Sequence, residues 1–164
     1  MPYIVYALTL AVAAFQMHHY APLLPDKLAT HFDFSGHPNG WMSQDGFFCF
    51  YAALLFTIIG IFTIMGLVMH KLPDRLINLP HKKYWLAPER RVNSIRSLQK
   101  MLHVTGAVVC VYIVILMQSV IVANLQDMPT LGPDKVFPSL GILLMFVIGT
   151  LVYTYRRFPK PPQA

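Results

Sequence analysis

Four of the seven histidines in this chain lie in or beside one short polar stretch, where they could act together on a ligand. They are His18, His19, His31 and His37, and aspartates are interspersed with them at positions 26, 33 and 45. Imidazole and carboxylate groups together suit zinc or copper. Neighbouring side chains on a helix point about 100° apart, so at most one of His18 and His19 would face a shared site. The candidate metal ligands are therefore His18, His31 and His37.

The spacing of these histidines is loose, since no compact ligand pattern such as His-Glu-x-x-His occurs in the sequence. Interfacial histidines that hydrogen-bond to loop backbone are the favoured explanation of the pattern. No nucleophile is accompanied by a positioned base and an oxyanion donor, so no catalytic residue is assigned. We therefore expect a non-enzymatic protein without a cofactor. The alternative is a zinc or copper protein, either a membrane subunit or an enzyme, that uses the outer-face histidines.

The elements that position this polar stretch are predicted to be membrane helices. Four windows, residues 3–20, 46–69, 101–125 and 136–155, contain no Asp, Glu, Lys or Arg. As helices of 18 to 25 residues they would measure roughly 27–37 Å, which brackets the hydrocarbon core of a bilayer at about 30 Å. Over the whole chain 55% of the residues are hydrophobic and only 12% are charged. The prediction is an all-α integral membrane protein with four transmembrane helices in a single membrane domain, residues 1–164.

The basic residues are divided unequally between the two sides of these windows. Eight of the 13 Lys and Arg residues lie in residues 70–100 and three follow the fourth window, whereas only Lys27 and Lys135 lie elsewhere. The positive-inside rule therefore predicts cytoplasmic termini, an outer loop at residues 21–45 and a cytoplasmic segment at residues 70–100. The net charge of +6 is thus a topology signal. The basic residues are not gathered on a recognisable nucleic-acid-binding module, so nucleic acid is not expected as a partner.

The outer loop has sequence features that a simple connection between two helices does not require. Apolar and polar residues alternate over residues 28–34, and several turn-forming residues follow. Asn39-Gly40 is the sharpest turn signal, and it predicts a tight turn with a positive φ. A compact loop or a small hairpin over the outer face is expected.

The cytoplasmic segment mixes apolar, aromatic and basic residues over residues 76–87, which suits a membrane interface with Tyr84 and Trp85 at headgroup depth. Pro88 is suited to the first position of a helix and Glu89 to its first turn. Apolar residues then recur every three or four positions from 92 to 102, with basic residues between them. This pattern predicts a basic amphipathic helix that runs into the third window. Membrane anchoring and partner docking are both open for this segment.

Two blocks of residues resemble a known family. The first consists of LPDKLATHF at residues 24–32, followed by SG at 35–36 and PNGW at 38–41. It is similar to the pattern L-P-x-x-[IVL]-x-x-H-[FWY]-x-x-x-G-x-x-[DN]-G of a bacterial membrane family catalogued as a domain of unknown function. That module also forms the N-terminal part of immunity proteins against the sporulation-delaying peptide toxin. The second block, INLP at 77–80 with KYWLAPERR at 83–91, is similar to a block in stand-alone members of the family.

This resemblance implies a small multi-pass protein of the bacterial inner membrane with a sensing, immunity or accessory-subunit role and no known catalytic residues. We therefore predict that the chain binds a ligand or partner through its outer loop and couples this binding to the cytoplasmic side through residues 84–91. The expected partners are the lipid bilayer and either another membrane protein or a second copy of the chain. The candidate binding residues come from the two blocks: His31, Phe32, Gly36, Asn39, Gly40, Tyr84, Trp85, Pro88, Glu89, Arg90 and Arg91.

Overall fold

The computed structural model describes residues 2–161, and most of them are helical. The helices and strands are α1 (Pro2–Tyr20), β1 (Lys27–Phe32), β2 (Pro38–Ser43), α2 (Gln44–Val68), α3 (Lys82–Trp85), α4 (Pro88–Ala123) and α5 (Pro133–Arg157). Short 3-10 turns lie in the connections, at Ala21–Leu23, Met69–Lys71 and Asp74–Leu76.

Each of the four charge-free windows lies almost entirely within a helix. Three of the helices, α2 with its following 3-10 turn, α4 and α5, are long and apolar enough to cross a membrane. The structure therefore indicates a membrane protein. The helix α4 has 36 residues and measures about 54 Å, well beyond the about 30 Å of a hydrocarbon core. Its first turns are the predicted amphipathic helix, which continues without a break into the apolar part.

The central helix is α4, since α1, α2 and α5 all contact it. The main hydrophobic core lies between α1, α2 and α4, and its largest fully buried side chains include Phe47, Tyr51, Leu55 and Ile121. Along α5, all of which lies in the described part of the chain, no residue is buried. The helix α5 is therefore attached to the outside of a three-helix core.

A chain of side-chain hydrogen bonds crosses this core at Gln16. The Tyr51 hydroxyl donates to Gln16 Oε1 at 2.7 Å. Gln16 Nε2 donates to Gln118 Oε1 at 2.8 Å and to the Val114 carbonyl at 3.4 Å. Gln118 Nε2 in turn donates to the Tyr20 hydroxyl at 2.9 Å. Buried amides are costly unless they are hydrogen-bonded, and these bonds provide the partners of the two glutamine amides. The same bonds link α1, α2 and α4 at one depth.

The strands β1 and β2 form an antiparallel hairpin between α1 and α2, where the sequence predicts a compact loop or hairpin. Two register shifts in the pairing leave Thr30 in β1 and Asn39 in β2 without a partner residue. The turn predicted at Asn39-Gly40 is wrong, because both residues lie within β2. The chain reverses earlier, and the positive φ of +84° belongs to Gly36.

The end of the helices opposite the hairpin carries most of the Lys and Arg residues, and we call it the basic end (residues 69–100 and 156–160). A second buried cluster lies there, formed by Ile77, Leu79, Leu86, Ile95 and Phe158. Within the predicted amphipathic stripe of α4, Ile95 is buried but Val92 is 66% exposed. The connection between α2 and α4 is therefore folded against the helices.

Candidate functional site

The hairpin is fixed to the helices by the side chain of Asn124, which directly follows α4. Its Oδ1 accepts a hydrogen bond from the Ala29 N–H at 2.7 Å, and its Nδ2 donates to the Ala29 carbonyl at 2.8 Å. The same Nδ2 also donates to the Val120 carbonyl at 2.9 Å. Asn124 is 3% exposed and Ala29 is fully buried. The amide thus bonds to the free edge of β1 as a neighbouring strand would, so the buried backbone groups of Ala29 are satisfied.

Two further contacts hold the hairpin in place. At its base, Gln44 Nε2 donates to the Ala21 carbonyl at 2.6 Å and the Gln44 N–H donates to the Asp26 carbonyl at 2.9 Å. At its turn, the Leu131 N–H donates to the Gly36 carbonyl at 3.0 Å. A Cβ at residue 36 would lie 2.9 Å from the Leu131 carbonyl oxygen, and φ there is positive, so only glycine fits. The hairpin therefore rests on the connection between α4 and α5.

Asp33 organises the turn of the hairpin. Its Oδ1 accepts hydrogen bonds from the N–H groups of His37 at 2.9 Å and Ser35 at 2.8 Å. The His37 N–H, together with that of Ser35, holds the pKa of the Asp33 carboxyl below its ordinary value. The contribution of this carboxylate to stability is therefore fully present above its unfolded-state pKa, and it is lost as the pH falls through the lower folded-state pKa.

The hairpin presents two large aromatic side chains away from the helices. Phe34, in the turn, is 95% exposed, and Trp41, in β2, is 47% exposed. Exposed aromatic residues on a fixed support are typical of binding surfaces. Neither residue was among the predicted site residues. In a continued strand Phe34 would lie on the same face as Phe32, but β1 ends at Phe32 and the turn directs Phe34 to the outside.

The predicted site residues of the hairpin have different surroundings. Phe32 packs against the main core and Gly36 is buried, whereas His31 and Asn39 are exposed. Gly40 pairs with His31, and a Cβ at residue 40 would lie 2.9 Å from the His31 Cβ. The small size of Gly40 is therefore needed by the strand pairing. Of these five residues, His31 and Asn39 are the ones whose side chains a ligand can reach.

The structure does not bring the predicted metal ligands together. His18 is exposed at the end of α1, His31 lies in β1, and His37 Nδ1 lies 3.8 Å from Asp33 Oδ2 in the turn. Within residues 2–161, no three His, Cys, Asp or Glu side chains form a group able to hold a metal ion. Zinc or copper at these histidines stays a prediction, and metal analysis of the purified protein tests it.

At the basic end, Arg91 connects α4 to the chain that follows α2. Its Nη2 donates to the Leu72 carbonyl at 2.8 Å and its Nη1 donates to the His70 carbonyl at 3.2 Å. Its Nε lies 3.2 Å from Asp74 Oδ1. Carbonyl groups at the end of a helix lack hydrogen-bond donors within the helix, and here the guanidinium of Arg91 acts as the donor. Each nitrogen of the Arg91 guanidinium is thus engaged within the chain.

Trp85 is engaged in a similar way. Its Nε1 donates to the Pro159 carbonyl at 3.1 Å, and its ring meets the buried ring of Phe158 edge-on, with centroids 5.6 Å apart. The Ser94 hydroxyl donates to the Trp85 carbonyl at 2.8 Å. These contacts attach the segment after α5 to the start of α4.

The remaining predicted residues of this block surround the first turn of α4. Pro88 is the first residue of the helix, as its sequence position predicts. Glu89 Oε2 lies 3.5 Å from Arg90 Nη1, and the Arg90 guanidinium lies 4.0 Å from the ring centroid of Tyr84. This cation–π pair is partly exposed, so Arg90, Tyr84 and Glu89 are the residues of the block that another molecule can reach.

The comparisons with known proteins concern the N-terminal third of the chain. No curated protein and no solved structure matches the chain. Residues 4–57 match a family model described as Domain of unknown function (DUF1648). The matched region contains nearly all of α1, the whole hairpin and the first part of α2, whereas Asn124 lies beyond it. The chain therefore contains a DUF1648 domain in residues 4–57.

Proposed function

We propose that this chain is a non-enzymatic, partner-binding protein of the bacterial inner membrane, in a sensing, immunity or accessory-subunit role, and that the hairpin is its binding surface. The observation that carries the proposal is Phe34, which is 95% exposed at the turn of the hairpin. The hairpin backbone is bonded at Ala29 to Asn124, directly after α4, and at Gly36 to Leu131 in the connection between α4 and α5. Because the hairpin is held in this way, little conformational entropy is lost when a partner covers the Phe34 ring. A membrane protein or a second copy of the chain is the expected partner.

The finer topology, with four spans and cytoplasmic termini, belongs to the same proposal. Ile4, Leu8, Val12 and Phe15 of α1 are all exposed, and their spacing puts them on one face of the helix. Within residues 2–161 no other element covers this apolar face, which supports contact with lipid and makes α1 the fourth span of the proposal. The excess of Lys and Arg at the basic end supports its placement in the cytoplasm, with the hairpin outside.

The orientation is tested by labelling single cysteines in a variant in which Cys49 and Cys110 are replaced by alanine. Cysteines at Ser43 and Thr130 should react with a membrane-impermeant maleimide in intact cells, and a cysteine at Lys83 should react only after permeabilisation. All three positions are exposed, so access depends on the side of the membrane alone. Reaction at residue 83 in intact cells would reverse the orientation.

The role of the hairpin is tested with Phe34→Ser. Because Phe34 is exposed, this variant should unfold at the same temperature as the wild type, within about 0.5 kcal/mol of stability. It should lose the protein, or the second copy, that co-purifies with the wild type in mild detergent. The matched control is Leu76→Ser, which removes a 64% exposed apolar side chain at the basic end and should retain the partner.

Two outcomes would count against the hairpin as the binding surface. The first is a wild type that purifies as a monomer without any other protein. The second is an equal loss of the partner in Phe34→Ser and Leu76→Ser, which would indicate a general effect of losing exposed apolar area.

A further inference from the structure

The helices α4 and α5 are separated by a cleft near the basic end. It has a volume of about 610 Å³, and we call it the α4–α5 cleft. A cavity of this size is in the range of small-ligand sites. No residue of α5 is buried, so this helix packs only loosely against α4. The cleft between them therefore opens towards the surroundings of the helices. In a membrane-inserted protein those surroundings are lipid.

One end of the α4–α5 cleft is cationic. Lys100 and Arg157 line it, together with the hydroxyl of Ser97. Arg157 Nη2 donates to Ser97 Oγ at 3.1 Å, which holds the guanidinium at the wall of the cleft. None of the residues that line the cleft, all within the described part of the chain, is acidic. Two cations without a carboxylate favour an anionic group, and a phosphate suits both the guanidinium and the ammonium.

The other end of the cleft is apolar. Val104 of α4 and Phe146 and Gly149 of α5 line it, and Val104 lies about 6 Å along the helix axis from Lys100. Polarity therefore falls from the basic end towards the middle of α4. The same change from headgroup to hydrocarbon occurs along a phospholipid molecule.

A narrower cavity of about 90 Å³ lies further along between the same two helices, with Val111, Ile115 and Ile142 in its wall. Along α4 the distance from Lys100 to Ile115 is about 22 Å, which is about half as long again as the about 15 Å of hydrocarbon in one leaflet. The two cavities together therefore extend along α4 over at least the length of an acyl chain in one leaflet.

We propose that the α4–α5 cleft binds one anionic phospholipid, with its phosphate between Lys100 and Arg157 and an acyl chain along Val104 and Phe146. Basic pockets between membrane helices at the cytoplasmic side suit anionic headgroups on electrostatic grounds. This lipid site depends on the proposed insertion into a membrane but not on what the hairpin binds. It contributes to the attachment of α5, whose own packing is sparse.

The proposal is tested by native mass spectrometry of the full chain, released from detergent after titration with defined lipids. Phosphatidylglycerol should bind with one molecule per chain, at least tenfold more tightly than zwitterionic phosphatidylcholine, because only the former carries a net negative charge. Inorganic phosphate at the same concentration should leave the lipid complex intact, since it lacks the acyl chains.

Two variants separate the headgroup contacts from the apolar contacts. Lys100→Gln with Arg157→Gln should weaken phosphatidylglycerol binding about tenfold. The matched control is Arg96→Gln with Arg156→Gln, which removes the same charge from exposed positions on the same helices and should bind as the wild type.

The second variant, Gly149→Leu, fills the cleft without changing its charge. A Cβ at Gly149 meets no atom within 4 Å, so the substitution introduces no clash next to the backbone, and Gly149 itself lines the cleft. This variant should abolish binding of the lipid without lowering the temperature of thermal unfolding, because leucine is a better helix former than glycine. Gly141→Leu is its control, because Gly141 lies on the same helix with equally open space around it and does not line the cleft.

Equal binding of the two lipids, or wild-type binding by Lys100→Gln with Arg157→Gln, would overturn the proposal. Displacement of the lipid by inorganic phosphate would make the cleft a phosphate site instead. A complex that contains a second copy of the chain, forms without added lipid and is disrupted by Gly149→Leu would make it an oligomer interface. Each of these outcomes leaves the proposed role of the hairpin untouched.

Discussion

Replacing Asn124 by alanine is expected to detach the hairpin from the helices. The substitution removes the side-chain partners of the Ala29 N–H and carbonyl, and both groups are buried. Each buried backbone group that loses its partner costs about 1–3 kcal/mol, so the variant should lose about 2–6 kcal/mol of stability. Thermal unfolding in detergent measures the loss. Hydrogen exchange over residues 27–43 should rise more than exchange in α2.

The control for this prediction is Asn39→Ala, which removes an exposed amide from β2 of the same hairpin. An exposed side chain away from the docking contacts should change stability by no more than about 0.5 kcal/mol. If Asn124→Ala and Asn39→Ala unfold at the same temperature, the amide of Asn124 does not hold the hairpin.

The second large effect is expected at Gly106, where α4 faces side chains of both α1 and α2. A Cβ at this residue would collide with the Tyr6 hydroxyl and would lie 2.6 Å from Phe62 Cγ. Gly106→Ala should therefore push the helices apart and weaken the hydrogen bond from Tyr6 to the His103 carbonyl. Overpacking of this kind costs about 1–3 kcal/mol, which thermal unfolding in detergent measures.

Gly60→Ala provides the matched comparison, because a Cβ at Gly60 meets no atom within 4 Å. Alanine is a better helix former than glycine by about 1 kcal/mol, so Gly60→Ala should be neutral or stabilising. The two variants make the same chemical change in two apolar helices, and only Gly106→Ala should be destabilising. A stabilising Gly106→Ala would show that the contact between these helices is looser than described.

The membrane helices could be predicted from the sequence because their cause is local. Backbone groups in lipid must be satisfied within the helix itself, so a charge-free apolar run of sufficient length is enough to specify it. For the second window, predicted at residues 46–69, the structure has α2 at Gln44–Val68. The continuation of the third window into an amphipathic helix also follows from local spacing.

The hairpin shows where local signals fail. A turn was correctly expected in the outer loop, but Asn39-Gly40 was the wrong pair because the strand pairing includes Asn39 as an extra residue in β2. The reversal occurs where Asp33 bonds to the N–H groups of the turn and where Gly36 meets Leu131. Strand register depends on the surface beneath the strands, which a stretch of 17 residues does not reveal.

The basic end shows the same limit for side chains with functional character. Arg91 and Trp85 were predicted to bind a partner, and the structure gives them carbonyl partners within the chain, at Leu72 and Pro159. Every residue has a backbone carbonyl, so a sequence pattern does not predict which carbonyl a given side chain will bond to. Arg90 and Tyr84 remain accessible, and partner binding there stays a prediction.

The sequence by itself determined that this is a helical membrane protein with an unusual polar segment between its first two apolar helices, because hydropathy, length and turn residues act locally. Only the tertiary structure decided how that segment folds. It is a hairpin whose edge strand is completed by Asn124, 95 residues away, and which leaves Phe34 exposed. The α4–α5 cleft likewise has Lys100 of α4 and Arg157 of α5 in one lining, which only the packing of the two helices brings about. Such contacts depend on how the helices pack, and packing is a property of surfaces that are assembled from distant parts of the chain.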